Sequence, residues 1–221
     1  MKKSLNQKLI NLVEYYSLNN INLLLSSKPL KRDSNNNVSS FDGQNTLKKL
    51  NRLKNEISKI DKCELKKSAT NMVFADGNIQ SKIMIIGEGP GAQEDIEGKP
   101  FVGRAGKLLD KMLAAIKLDR SKVYISNVVN YRPPANRRPT EKEIKRYFPY
   151  LTKHIQIINP KILILLGSTA LNAIIGNEIV ISKARGKWIN KEIGTSKPWI
   201  IASFHPAFLM RQPEQKKLAW I

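Results

Sequence analysis

Apolar residues change their period part-way along the chain. Over residues 4–27, Leu5, Leu9, Leu12, Val13, Tyr16 and Leu23 recur at helical spacing, and Lys28-Pro29 stops the run. Residues 34–45 are rich in Ser, Asn, Asp and Gly and read as a linker. A second helix is expected over 46–62, with Leu47, Leu50, Leu53, Ile57 and Ile60 on one face. From residue 72 short apolar runs alternate with helical stretches. The runs at 82–87, 123–129, 161–167 and 199–203 read as strands. Residues 105–116, 140–158 and 168–175 read as helices, and Thr140 with Glu143 matches a capping box. Residues 188–193 add a hairpin near Gly194.

This alternation predicts an α/β fold, a three-layer α/β/α sandwich around a central, mostly parallel four-stranded sheet. The domain reading is a helical N-terminal appendage and linker over 1–45 and a catalytic body over 46–221. The length of 221 residues suits one sizeable core.

Composition adds a partner. The chain carries 38 Lys and Arg against 18 Asp and Glu, a net charge of +20. Residues 1–60 hold 11 basic and 4 acidic side chains and the remainder 27 and 14, so the body carries much of the excess. A polyanion such as DNA, RNA or an anionic membrane surface fits that balance; a merely solvated basic surface is the alternative. No purely apolar run is longer than the five residues 162–166, against the roughly 20 that a membrane-spanning helix needs. Polar residues interrupt any signal-peptide core after Met1-Lys2-Lys3, so a cytoplasmic protein is expected. A single cysteine, Cys63, excludes an internal disulfide framework and any site needing several thiolates from this chain.

In such sheets ligands gather at the carboxyl ends of the strands. Three segments fall there: residues 87–106, opening with Gly87-Glu88-Gly89-Pro90-Gly91; Asn127 with the Arg/Pro-rich stretch after Tyr131; and Phe204-His205-Pro206-Ala207-Phe208-Leu209-Met210-Arg211. The glycine turn lacks the G-K-[ST] ending of a P-loop and does not fit G-x-G-x-x-G. Taken in order, GEGPGAQED, GKPFVGRAGKLLD, YISNVV, RPPANR and FHPAFLMR resemble family 4 uracil-DNA glycosylase, over residues 63–221. The stretch 66–78 is most like the α-proteobacterial branch of that family.

That resemblance implies a monofunctional DNA glycosylase of base excision repair, which hydrolyses the N-glycosidic bond of uracil in DNA and leaves an abasic site. The alternative is a non-catalytic nucleic-acid-binding module on the same fold. The residue chemistry fits an enzyme that flips uracil into a pocket. Phe101 offers an aromatic face. Asn127 carries the donor and acceptor that pair with uracil O4 and N3–H. His205, one of two histidines, is fixed ahead of Pro206 and donates to uracil O2 as charge collects on the leaving base. The resemblance places Glu88 in the catalytic, water-binding motif beside Gly89, whose backbone contacts the ligand. Whether Glu88 is a general base or an orienting group stays open. Glu94 shapes the pocket, with Asp95 and Glu97 as helix-start or solvent residues. Leu209 and Met210, in a loop after His205, are expected to enter the hole left by the flipped base. Arg104 and Arg211 are expected phosphate contacts. His154, without a motif around it, reads as a surface or helix-end residue.

Many family 4 enzymes hold a 4Fe-4S cluster on four cysteines. Here Cys63 matches one ligand, and the other places hold Ile60, Tyr131 and Tyr147. One thiolate cannot hold a cluster, so no metal cofactor is expected and the tyrosines are expected to fill its volume. DNA, single- or double-stranded, is the expected partner of a monomer with no membrane association. The family's final helix usually continues where this chain ends, so a truncated end is expected.

Overall fold

The computed structural model describes residues 43–176 and 178–220. The helix expected over 4–27 and most of the expected linker lie outside them. Helix α1 (Gly43–Ser58) starts within the stretch expected to be linker and turns Leu50, Leu53 and Ile57 inward, the period its sequence shows. A short helix α2 (Glu64–Ser68) follows.

The sheet has six strands: β1 (Asp76–Gly77), β2 (Ile83–Gly87), β3 (Tyr124–Asn127), β4 (Ile162–Leu166), β5 (Trp188–Asn190) and β6 (Trp199–Ser203), in the spatial order β1-β3-β2-β4-β6-β5. The inner four run parallel and are the four expected from sequence. The edges are antiparallel: β1 on β3, and β5 on β6, where the expected hairpin lies. Inner strands read as near-continuous apolar runs because both their faces are covered.

Alternation along the strands sorts the two faces. Met84, Ile86, Leu163 and Leu165 pack into one core with Leu53 and Ile57 of α1 and with Tyr147, Leu151 and Ile155 of a long helix. Ile85, Ile125 and Leu166 face the other way, onto Leu109 and Leu113. The long helix is α5 (Glu141–Ile158), opened by the predicted capping box: the Glu143 amide donates to Thr140 Oγ1 (3.3 Å) and the Thr140 amide to Glu143 Oε2 (2.7 Å). The opposite layer contains α4 (Arg104–Ala115), which follows the short α3 (Ala92–Glu97). The remaining helices are α6 (Ser168–Ile174), α7 (Ile181–Ala184) and α8 (Pro206–Arg211).

Candidate active site

The carboxyl ends of β2, β3, β4 and β6 open into a cleft of about 430 Å³. Glu88, Gly89, Glu94, Phe101, Asn127, His205 and Arg211 all line it. Three segments far apart in sequence thus meet where a parallel sheet presents its strand ends.

Asn127 ends β3 and is 3% exposed, yet its Oδ1 is one of two buried side-chain polar atoms without a partner among the described residues. A buried acceptor left unpaired costs about 1–3 kcal/mol, so this atom marks a place where a donor is expected to bind. The Phe101 and His205 rings stack beside it, with centroids 5.5 Å apart and an interplanar angle of 28°. Gly87 makes this packing possible. A Cβ there would lie 2.5 Å from both Asn127 Oδ1 and the Phe101 ring.

His205 caps α8: the Ala207 amide donates to its Nδ1 at 3.2 Å. With Nδ1 accepting, a neutral ring carries its proton on Nε2. Burial, aided by the charge of Arg211, holds the imidazole pKa down at about 4, against the opposing pull of Glu94. The ring is therefore a neutral donor at physiological pH. Thr169, buried on α6, donates its hydroxyl to Glu88 Oε2. Glu94 accepts from three backbone amides: Gly91 (3.1 Å), Val102 (3.0 Å) and Gly103 (2.8 Å). Its carboxylate thereby closes the loop that carries Phe101.

The mouth is basic. Arg137, Arg138 and Arg211 line it, and Arg104 is exposed at the start of α4. Arg137 is committed to Glu143 through two hydrogen bonds of 2.8 and 2.7 Å, which hold the glutamate pKa down at about 2. A family model of the Uracil DNA glycosylase superfamily matches residues 74–221. The chain belongs to the uracil DNA glycosylase superfamily. It is 40% identical to a type-4 uracil-DNA glycosylase of Archaeoglobus fulgidus over 166 residues, 73% of this chain and 83% of that one. It is 43% identical to the type-4 uracil-DNA glycosylase of Thermotoga maritima over 70% of this chain and 80% of that one. The corresponding protein of Saccharolobus solfataricus is 41% identical over 76% and 81%.

The iron–sulfur cluster of many family 4 uracil-DNA glycosylases does not fit this member. Ile60, Cys63, Tyr131 and Tyr147 share one buried core, and the Cys63 thiol and Tyr147 hydroxyl are hydrogen-bonded at 3.3 Å. One thiol, two phenols and an aliphatic side chain are not a cluster's donor set. Burial raises the pKa of both phenols, so they stay neutral hydroxyls.

Three expectations are corrected within this glycosylase fold. The segment after His205 is helical rather than a loop, and α8 turns Leu209 inward to 1% exposure. Leu209 is thus core, and Phe208 is the neighbour that lines the cleft; Met210 is half-buried. His154 is a core residue of α5, 2% exposed, stacked on Phe74 at 4.5 Å and hydrogen-bonded through Nε2 to the Tyr124 hydroxyl at 2.8 Å. Asp95 does stand in the first turn of α3, one of the two places expected for it, but it is buried rather than solvated, and accepts from the Thr70 and Asn71 amides at 2.9 and 3.0 Å. Two partners went unread in the sequence, Thr169 and Gly87. Gly87 sits in the noted glycine turn, but Thr169 looks like any residue of a helix start.

Proposed function

We propose that the protein is a monofunctional uracil-DNA glycosylase acting in base excision repair. It hydrolyses the N-glycosidic bond of deoxyuridine in DNA and leaves an abasic site. The observation that carries this reading is Asn127, with its buried and unpaired Oδ1, in the lining of a cleft that the Phe101 and His205 rings share. Uracil flipped from the stack lies against Phe101. Its N3–H donates to Asn127 Oδ1, and its O4 accepts from the Asn127 amide group. Cytosine presents the opposite pattern at both atoms and leaves buried groups unpaired.

As the glycosidic bond breaks, negative charge gathers on the base and positive charge on the sugar. His205 Nε2–H donates to uracil O2, and as a neutral donor it keeps its proton while stabilising the anion. Glu88, oriented by Thr169, faces the sugar side, where a carboxylate orients water and stabilises an oxocarbenium-like centre. The Gly89 backbone lies against the ligand, and Glu94 keeps the loop in shape. No lysine nucleophile enters, so strand cleavage is not part of the reaction.

Arg104, Arg138 and Arg211 hold the DNA phosphates, and Met210 on α8 approaches the space left by the flipped base. The chain works as a cytoplasmic monomer without an iron–sulfur cluster, and the segment ahead of α1 is an appendage to the catalytic unit. Among the described residues no helix is long and apolar enough to cross a membrane.

The test is excision from a uracil-containing single-stranded oligonucleotide, read as strand breaks after alkali. Wild type is expected to give alkali-labile sites at uracil only. His205→Ala is expected to lose about 10²–10³-fold. DNA binding without alkali-labile sites in the wild type would contradict the reading and favour a binding module.

A further inference from the structure

Phe101 has φ +56°, in the left-handed region that bulky side chains avoid. Such a backbone persists only when its surroundings hold it, and here they do so on two sides. On the ring side stand Gly87 and His205. On the backbone side stands Arg120, from the 3-10 turn Arg120–Lys122 ahead of β3. Its Nη2 donates to the Phe101 carbonyl and its Nη1 to the Pro100 carbonyl at 3.1 Å. The same guanidinium is itself fixed by two carboxylates. Nη1 donates to Asp76 Oδ2 of β1 at 2.7 Å and Nε to Asp110 Oδ1 of α4 at 2.9 Å. Gly106 lets α4 close over the spot, since a Cβ there would lie 1.7 Å from the Phe101 carbonyl oxygen.

We propose that Arg120 is a positioning residue for base stacking: its planar fork clamps the Pro100 and Phe101 carbonyls and thereby holds the Phe101 ring where uracil must lie. The two carboxylates serve to aim the fork. A Lys cannot do the same, because one ammonium lacks the rigid set of donors that reaches two carbonyls and two carboxylates together. This inference rests on the stacking role given to Phe101 above.

The competing account is that Arg120 merely staples β1 to α4 through its ion pairs. The two accounts part in a double-mutant cycle on single-turnover uracil excision, run on full-length protein well below each variant's melting temperature. Arg120→Met is expected to lower the excision rate about tenfold to a hundredfold, since a misplacement of about 1 Å costs on that order. In a Phe101→Leu background the same change is expected to add less than about threefold, because the residue it acts through is gone. Asp110→Asn keeps a hydrogen-bond acceptor for Arg120 and removes one ion pair; it is expected to stay within about twofold of wild type.

Calorimetric binding of free uracil gives a second readout. Arg120→Met and Phe101→Leu are expected to weaken it by similar factors. If Arg120→Met does not fold, Arg120→Lys replaces it, with an intermediate loss expected. The proposal is overturned if Arg120→Met excises at the wild-type rate, if its loss adds in full to that of Phe101→Leu, or if Asp110→Asn matches it. Should Phe101→Leu itself excise and bind uracil like wild type, the stacking role fails, which is a separate outcome from failure of the clamp.

Discussion

The buried polar side chains around Cys63 and those in the cleft are finished differently. Around Cys63 the hydroxyl of Tyr147 meets the thiol, and apolar neighbours enclose both. In the cleft, Asn127 Oδ1 meets nothing, and His205 has one nitrogen engaged and one to offer. A core that pairs its polar atoms is stable and inert. A core that leaves one unpaired at the end of a parallel strand holds binding energy for a ligand that supplies the missing donor. The first region is where many relatives in this family bind a cluster; here it is packed like ordinary core, and the pocket stands apart from it.

The largest test of this contrast is steric. Gly87→Ala puts a methyl group into the Phe101 ring and Asn127 Oδ1, so one or both must move. Excision is expected to fall about 10²-fold by the usual sensitivity to misplacement. Wild-type turnover would mean the two side chains do not act from their observed positions. Next comes pH. The His205 pKa, lowered to about 4 by burial, leaves the ring neutral throughout the range where a free imidazole titrates. Excision is expected to show no step near pH 6.5 and to decline only as pH nears about 4, where a proton on Nδ1 would oppose the Ala207 amide. A rate that halves by pH 6.5 on acidification would mean that the imidazole keeps its ordinary pKa, and a rate that falls as pH rises through 6.5 would mean that the protonated ring acts.

Smaller effects belong to the packed regions. His154, fully enclosed, has its pKa lowered by burial to about 3. Its neutral form contributes stability that is present above about pH 6.5 and lost as pH falls through about 3. Urea melts of wild type and His154→Gln are expected to differ less at pH 4 than at pH 7.5. Tyr147→Phe removes one neutral hydrogen bond and is expected to cost about 1 kcal/mol of stability, with excision unchanged. Loss of activity in that variant would tie the thiol–phenol region to the pocket after all.

What the sequence revealed follows from how strongly each feature is imposed on it. The four inner strands were legible because burial on two faces demands unbroken apolar runs, as in residues 162–166. The α5 start was legible because a capping box has a fixed spacing. β1 was not, since two residues in Asp76–Gly77 carry no period. α8 was hidden by its six-residue length, and reading it as a loop put Leu209 at the surface when a helical turn buries it. His154 looked polar in sequence, yet the Tyr124 hydroxyl and the Phe74 ring make its burial tolerable. In the site, the chemically distinctive residues Glu88, Phe101, Asn127 and His205 were visible, whereas Thr169 and Arg120 were not. Each is paired with residues distant in sequence, Thr169 with Glu88 and Arg120 with Phe101 and Asp76, and no local pattern records such a pairing.

The central claim is that Asn127 reads uracil through two edge contacts at once. The direct measurement is excision by Asn127→Asp from matched single-stranded oligonucleotides carrying one uracil or one cytosine. The carboxylate keeps the size of the amide, loses its donor and repels uracil O4. Uracil excision is expected to fall at least about fivefold to tenfold, the counterpart of one unpaired buried group, with slow cytosine excision as a weaker gain. Removal of uracil at the wild-type rate would make Asn127 a strand-end residue and contradict the pocket described here.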